Sequence, residues 1–445
     1  MLKLITSSFT VLLSFIAFVQ GKFHNDTQVA VYWGQASEGE PQNKLSYYCE
    51  SESLDIVVLA FVSEFGKNYA NLKEYEGLDD DDQYKAMHGD KQDDDDSFIL
   101  NLSSYCSFSN VADSYKCPSL VQDIKTCQKL GKKVLISFGG EYVPGTKQTY
   151  GFTDEEEGER FAGVLWNTFG EGNVDGSQRP FDDAVIDGFD IDIENEDQVG
   201  YVSMIRELDR LAKEKGTKRY YFSSAPQCNF PDKSNSELID NFELDYVFVQ
   251  FYNNDCELNK DDVFNFEEWS DHITELGYDK TQIFVGLPSS LEAAAMGFIS
   301  DQSLVVSKIN EIENNENLSK HFGGLMFWDA SKGYHSDDRD SPDKSYIFNV
   351  WSKLTSEGNS DADQSVLDGN STTEGLRGGF GSPAEDSGAT QDTSSNGSKP
   401  SPHFNTSNSG SDRSRSGGVA LFDTNRIPEV LTGVTFVLIA FVFYC

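Results

Sequence analysis

The segment DGFDIDIENED, residues 187–197, carries acidic residues at alternate positions of an apolar stretch. Asp190, Asp192 and Glu194 would share one face of a β-strand, because successive side chains point to opposite sides. A buried carboxylate is costly without a partner, so three acids in phase inside an apolar strand indicate a chemical role. The alternative is a group of acids that caps a helix at the strand end. Asp187 has the opposite parity and is harder to place.

The spacing of Asp192 and Glu194 predicts a general acid. Two residues apart on one strand, their Cα atoms would lie roughly 6.6 Å apart. At an effective dielectric near 20, two like charges at that distance repel by about 2.5 kcal/mol, or about two pKa units. One carboxyl should therefore stay protonated near neutral or mildly acidic pH, as a general acid requires. Asp190, deeper in the strand, could share a proton with Asp192.

Other kinds of site lack their sequence patterns. No His or Cys group shows the spacing of metal ligands, and no G-x-S-x-G turn is present. We therefore expect neither a metal nor another cofactor.

The elements that would position these acids are apolar strands alternating with amphipathic helices. Strand-like runs occur at 29–34, 56–62, 134–140, 184–194, 220–226, 246–252, 283–288 and 324–328. Helical patterns occur at 119–133, 199–216, 266–277 and 305–314. Eight such strands predict an α/β fold, a (β/α)8 TIM barrel. The alternative, a doubly wound open sheet, would need a Gly-rich turn after the first strand, and YWGQASEGE has none.

In a closed barrel, alternate residues of each strand point into the lumen. The three acids would point into the lumen in succession toward the C-terminal rim, where active sites of this fold lie. Glu194, the last of them, would be the most accessible. Aromatic residues at other strand ends would form the floor of a cleft for sugar rings, although each of them could instead belong to the core. They are Tyr32, Trp33, Phe61, Phe251, Tyr252, Phe327 and Trp328.

Charge and composition limit the partners and divide the chain. Lys plus Arg number 35 and Asp plus Glu number 74, a net charge of −39. This acidity argues against nucleic acid, which needs a basic footprint, and against anionic membrane surfaces. Four-residue Asp runs at 79–82 and 93–96 are typical of solvated loops. After Leu354 the sequence becomes rich in Ser, Gly, Asn and Thr and cannot bury a core.

The two ends carry processing signals. Residues 1–21 are typical of a secretory signal peptide. The apolar end, 430–445, follows small residues at 416–418 and a spacer, a pattern that predicts GPI attachment at Ser416, with Ser414 or Gly417 possible. A short tail anchor is the alternative. The expected parts are a signal peptide (1–21), a folded domain (22–355), a glycosylated stalk (356–416) and a GPI propeptide (417–445), in a secreted protein held at the cell surface or wall.

Six cysteines remain once Cys445 leaves with the tail, which predicts three disulfides in a secreted chain. The sequence alone permits 15 pairings. Glycosylation sequons stand at Asn25, Asn101, Asn317, Asn370, Asn396 and Asn405.

The chain resembles the family 18 glycoside hydrolases. DGFDIDIE, residues 187–194, matches their D-x-x-D-x-D-x-E signature. The segments VYWGQ (31–35), SFGG (137–140), APQCNFPD (225–232), VQFYNN (249–254) and GGLMFWDAS (323–331) are similar to those of plant and fungal class III chitinases. The resemblance runs from about residue 29 to residue 354.

This resemblance implies residue roles. Glu194 would protonate the glycosidic oxygen, and the 2-acetamido oxygen of the substrate would attack the anomeric carbon and form an oxazolinium, with retention. Asp192 would orient the acetamido group, Tyr252 would donate its hydroxyl to the acetamido oxygen, and Asp190 would support Asp192. Trp328 would form the floor where the bond breaks. The groove lining would also include Tyr32, Phe61, Gly140, Ala225 and Gln250.

The resemblance further implies the disulfides Cys49–Cys127, Cys106–Cys117 and Cys228–Cys256. The expected protein is a monomeric, GPI-anchored endo-chitinase of the fungal cell wall, with chitin or its oligosaccharides as substrate and wall glucan as a further partner. The alternatives are a non-catalytic glycan-binding wall protein and an endo-β-N-acetylglucosaminidase acting on N-glycans. Two departures from the family, the loop at 36–45 and an acidic insert at about 72–97, leave endo or exo preference and product length open.

Overall fold

The computed structural model describes residues 27–36, 42–66, 98–109, 114–142, 150–172, 179–334 and 342–367. The signal peptide, the acidic insert, the stalk beyond residue 367 and the GPI segment with Ser416 lie outside these residues. Among the described residues, no helix has the length and apolar character needed to cross a membrane.

Within the described residues, eight parallel strands form a closed barrel. Their order is β1-β11-β10-β9-β8-β7-β6-β2, and pairing of β1 with β2 closes the ring. The closure confirms the TIM barrel and excludes the open sheet. Strand β3 pairs antiparallel with β2, and β4 and β5 form a separate hairpin. The strands are β1 (Gln28–Trp33), β2 (Ile56–Phe65), β3 (Phe98–Leu100), β4 (Ser107–Ser109), β5 (Ser114–Lys116), β6 (Lys133–Gly140), β7 (Gly188–Ile193), β8 (Tyr221–Ser224), β9 (Tyr246–Gln250), β10 (Gln282–Pro288) and β11 (Phe322–Trp328).

Helices follow the barrel strands and cover their outer side. They are α1 (Leu45–Cys49), α2 (Pro118–Lys129), α3 (Glu155–Thr168), α4 (Tyr201–Lys215), α5 (Ser236–Asn241), α6 (Phe266–Glu275), α7 (Gln302–Glu313), α8 (Glu316–Ser319), α9 (Ala330–Gly333) and α10 (Tyr346–Leu367). The last helix runs past residue 355, where the sequence analysis ended the folded domain. A 3-10 turn (Pro342–Lys344) precedes it.

One predicted strand start and one helix missing from the prediction differ most clearly from the structure. The strand predicted at 184–194 begins only at Gly188, because Asp187 accepts hydrogen bonds from the Val134 backbone at 2.9 Å and from the Lys218 ammonium at 2.6 Å. Asp187 therefore holds the start of β7 in place and does not belong to the candidate active site. Helix α3 was not predicted, although Asp154 caps it by accepting a hydrogen bond from the Glu157 amide at 2.8 Å.

The alternation of β7 places its side chains in two separate cores. Phe189, Ile191 and Ile193 pack in the large outer cluster between the strands and the helices. The lumen holds a smaller apolar cluster that includes Tyr32, Phe248 and Met326. The acids of β7 point into this lumen, where polar partners from other strands can reach them.

Three disulfides join the cysteines in the pairs that the resemblance implies, Cys49–Cys127, Cys106–Cys117 and Cys228–Cys256. The first ties α1 to α2. The third ties the loop after β8 to the loop after β9, close to the rim that carries Glu194.

Candidate active site

Asp190 lies at the bottom of the site, fully buried in the lumen. Three hydroxyls donate to its carboxylate: Tyr32 at 2.8 Å, Ser137 at 2.6 Å and Ser223 at 2.6 Å. Burial raises the pKa of Asp190, and these hydrogen bonds act in the opposite direction. Among the described residues, no hydrogen bond joins Asp190 to Asp192. Proton sharing between these two carboxyls stays a prediction.

Asp192 and Glu194 meet at one side-chain amide. Gln250, at the end of β9, places its Nε2 atom 3.1 Å from Asp192 Oδ1 and 3.2 Å from Glu194 Oε1. Asp192 is buried and Glu194 is half-buried at the rim. The two carboxyls thus lie side by side, with the outer one accessible from the cleft.

The environment keeps protons on this pair. The pKa of Glu194 is raised to about 7: burial is the largest cause, the Gln250 hydrogen bond acts against it, and the charge of Glu141 adds to it. Burial also raises the pKa of Asp192 well above its usual range, with repulsion from Glu194 as the next cause. The expectation of a protonated carboxyl agrees with these directions. The larger cause, however, is desolvation rather than the mutual repulsion used in the sequence argument.

Hydrogen bonds on both sides hold the backbone that carries Glu194. The Tyr150 hydroxyl accepts from the Glu194 amide at 3.0 Å and donates to the Gly140 carbonyl at 2.9 Å. The Asn235 side chain donates to the Ile193 carbonyl at 2.9 Å. The acid is therefore fixed by groups outside its own strand, which favours a reproducible proton-transfer geometry.

Tyr150 and Asn235 were not predicted from the sequence. Asn235 is held by Asp232, which accepts from the Asn235 amide at 2.6 Å and side chain at 2.9 Å. Asp232 is the last residue of APQCNFPD (225–232), one of the segments that resemble the family. The sequence therefore indicated the importance of Asp232, although not its bond to Asn235. Tyr150 lies in a loop before α3 with no periodic pattern around it.

Three aromatic rings line the lumen beside the acids. The ring centres of Tyr32 and Trp328 lie 5.6 Å apart, and Phe61 stacks on Trp328 at 5.8 Å. A Cβ atom at Gly140 would lie 2.8 Å from the Phe61 ring, and Gly140 has φ +95°, so only glycine fits this approach. These rings form an apolar floor in the lumen, which the Tyr32 hydroxyl joins to Asp190.

Ala225 and Tyr252 belong to the same lumen cluster. The Ala225 carbonyl accepts from Gln250 Nε2 at 2.9 Å. Tyr252 is buried, and burial followed by the charge of Asp192 raises the pKa of its phenol well above the usual value. The phenol therefore stays protonated and can donate a hydrogen bond.

Three aromatics expected in the cleft lie elsewhere. Trp33, Phe251 and Phe327 are each adjacent in sequence to a lumen residue and so point to the opposite side of their strands. They pack in the outer cluster between the sheet and the helices. These three are therefore core residues, the alternative that the sequence left open for each aromatic, because side-chain parity separates the two members of each pair.

The arrangement can perform acid catalysis on a bond held over an aromatic floor. It offers a half-buried acid with a pKa near neutrality, a buried carboxyl beside it and a protonated phenol. Among the described residues, no group of His, Cys, Asp and Glu has the arrangement of a metal site.

Comparison with known proteins identifies a family. The family model "Glycosyl hydrolases family 18" matches residues 28–318. An endochitinase of Saccharomyces cerevisiae is 39% identical over 318 residues, which cover 71% of this chain and 49% of that relative. The chain thus spans about half the length of this relative.

Solved structures show the same fold. A chitinase from Ipomoea carnea matches with a TM-score of 0.51 and 26% identity, covering 74% of this chain and 99% of that one. A xylanase and alpha-amylase inhibitor protein from Scadoxus multiflorus matches with a TM-score of 0.54 and 25% identity, covering 74% and 98%. Because the family model matches more than half of this chain, the chain belongs to the family 18 glycosyl hydrolases.

Proposed function

We propose that this chain is an endo-chitinase that hydrolyses β-1,4 linkages in polymers of N-acetylglucosamine with retention of anomeric configuration. The observation that carries the proposal is the pair of Asp192 and Glu194 on one amide of Gln250, at the C-terminal rim of the barrel. Membership of family 18 and the similarity to a yeast endochitinase support it.

In the proposed reaction, Glu194 gives its proton to the glycosidic oxygen while the bond to the anomeric carbon breaks. The acetamido oxygen of the same sugar attacks that carbon and forms a cyclic oxazolinium, with Asp192 facing the acetamido nitrogen. Glu194, now a carboxylate, takes a proton from the water that opens the ring. Its pKa of about 7 suits both steps.

The remaining predicted residues have supporting roles in this scheme. Tyr252 donates its hydroxyl to the acetamido oxygen, and Trp328 supports the sugar ring at the point of cleavage. Asp190, held by three hydroxyls, fixes the deep end of the acid series. Tyr32, Phe61, Gly140, Ala225 and Gln250 line the groove.

The location of the protein is part of the proposal. The terminal segments of the sequence support secretion and a GPI anchor, and hence action on chitin of the fungal cell wall. These segments lie outside the described residues, so their support comes from sequence patterns only.

A second candidate is a non-catalytic binding protein. The similarity to the xylanase and alpha-amylase inhibitor protein favours it, since that protein shares the fold. The presence of Asp192, Glu194 and Tyr252 around one cleft favours hydrolysis instead.

Digestion of chitin oligosaccharides of defined length separates the candidates. Products are separated by chromatography, and the new reducing end is followed by proton NMR immediately after cleavage. Internal cleavage with an initial β-anomer supports the proposal. Tight binding of the oligosaccharides without cleavage overturns it in favour of the binding protein, and release of glycans from a glycoprotein with chitin untouched favours the endo-β-N-acetylglucosaminidase.

A further inference from the structure

Three side-chain amides form a chain of hydrogen bonds that ends at the catalytic pair. Asn254 Nδ2 donates to Gln227 Oε1 at 2.6 Å, and Gln227 Nε2 donates to Gln250 Oε1 at 3.2 Å. Gln250 and Asn254 are buried and Gln227 is half-buried. The chain joins the loop after β8 to the loop after β9, which the Cys228–Cys256 disulfide also connects.

Backbone carbonyls at both ends fix the direction of this chain. Asn254 Nδ2 also donates to the Tyr252 carbonyl at 3.1 Å, and Gln250 Nε2 donates to the Ala225 carbonyl at 2.9 Å. A carbonyl can only accept, so each of these positions requires the nitrogen of the amide. Gln227 lies between them and satisfies both neighbours only in the orientation observed.

The fixed direction determines what Gln250 presents to the acids. Of its two N–H groups, one is engaged by Ala225, and the other lies between Asp192 and Glu194 at 3.1 and 3.2 Å. A rotated amide would turn an oxygen toward two carboxyls. A donor favours the charged form of a carboxyl, whereas an acceptor favours the neutral form.

We propose that Gln227 and Asn254 are positioning residues that hold Gln250 as a hydrogen-bond donor and so stabilise the carboxylate of Glu194 that forms after proton transfer. The inference rests on the proposed function, because it assigns Glu194 as the acid. It adds two residues that contact neither the acid nor the sugar-binding floor.

Other groups around Glu194 must be separated from this effect. Those that act on it or titrate beside it are Asp192 on β7, Glu141 after β6, Asp232 after β8, Tyr252 after β9 and Tyr150 before α3. Asp192 contacts Gln250, and the Tyr252 carbonyl contacts Asn254. Asp232 contacts Gln227 through the backbone, since it accepts from the Gln227 amide at 3.1 Å. Side-chain substitution at Gln227 keeps that backbone contact.

The test uses Gln227→Met and Asn254→Leu, which keep approximate size and remove the hydrogen bonds. The control is Asn241→Ala: Asn241 is exposed, and its side chain donates to the Glu237 carbonyl at 2.9 Å, away from the three amides. The first readout is the titration of the Glu194 carboxyl carbon by NMR, without substrate. The second is the pH profile of kcat/KM on a chitin oligosaccharide.

Both variants should raise the pKa of Glu194 by roughly 0.5–1 unit, as expected for a weakened hydrogen bond to a charged group. The basic limb of the pH profile should move by the same amount, and Asn241→Ala should leave both unchanged. If the Glu194 carboxyl titrates in both variants as it does in the unmodified protein, and their circular dichroism spectra are native, the inference is overturned. A shifted titration in a protein that does not cleave chitin upholds the positioning role and refutes the proposed function instead.

Discussion

The Tyr150 hydroxyl and the Glu194 backbone amide are hydrogen-bonded at 3.0 Å. Because the same hydroxyl donates to the Gly140 carbonyl at 2.9 Å, a single oxygen joins the end of β6 to the residue that would act as the acid. The Asn195 side chain also donates to the Tyr150 carbonyl at 3.0 Å. The position of Glu194 thus depends on a loop residue whose hydroxyl bonds to the Glu194 backbone.

Replacing Tyr150 by Phe should lower kcat on chitin oligosaccharides by about fivefold to tenfold, with a smaller change in KM. The substitution removes the acceptor of the Glu194 amide while the ring remains packed. Tyr201→Phe is the matched control, since both rings pack on Phe65 and the buried Tyr201 hydroxyl has no hydrogen-bond partner within the described part of the chain. Equal kcat values for the two variants would contradict the positioning role of Tyr150.

Replacing Glu194 by Gln should reduce turnover by roughly 10²–10⁴-fold. The amide keeps the size of the side chain and can still meet Gln250, but it has no proton of suitable acidity to give. Oligosaccharide binding, measured by calorimetry, should persist and show that the cleft is intact. Turnover equal to that of the unmodified protein would remove Glu194 from the mechanism.

The stability of the fold should fall as the pH rises through neutrality. The pKa of Glu194 is about 7 in the folded protein against an ordinary value of 4.5, so the folded state holds its proton more tightly than the unfolded state. Its contribution is therefore fully present below pH 4.5 and is lost as the pH rises through about 7. Asp192, whose pKa is also raised, acts in the same direction.

Urea unfolding of the unmodified protein and of Glu194→Gln, at pH 5 and pH 8, checks this sign. Glutamine does not titrate, so the loss of stability between the two pH values should be smaller in the variant. A larger loss in the variant would show that Glu194 is not the group responsible.

Removing the disulfide Cys228–Cys256 by a double Ala substitution should destabilise the fold by about 2–5 kcal/mol. It should also lower activity below the unfolding temperature, because the two connected loops carry Gln227 and Asn254. The double substitution of Cys106 and Cys117 is the control, since that disulfide spans only 11 residues against 28. Activity lost equally in both would indicate a general loss of stability rather than a local effect at the site.

Much of the barrel and the orientation of its acids followed from the sequence. The alternation in β7 was enough to direct Asp190, Asp192 and Glu194 to the lumen, because a two-residue period has one interpretation in a closed barrel. The same rule separates Tyr32, which faces the lumen, from Trp33, which packs in the outer core. An aromatic residue at a strand end can be assigned to the cleft or to the core only when its parity is taken into account.

Tyr32 and Gln250, which donate to the acids, were expected at the site, but the loop residues that position Glu194 and Gln250 were not. Tyr150, Gln227 and Asn254 lie in loops, where no periodicity relates a residue to its direction. Their hydrogen bonds join segments far apart in the chain, such as Tyr150 and Glu194. Helix α3 could have been found, since Asp154 followed three residues later by Glu157 is a capping pattern.

The two-residue period of β7 limits how that strand can change in length. A single residue inserted ahead of Asp190 would rotate the remainder of the strand by half a turn and send the carboxyls under the helices, with Ile191 and Ile193 in their place. No point substitution could reverse such a shift. Descendants of this chain that stay active should therefore gain or lose residues in the flanking loops and keep this strand constant in length.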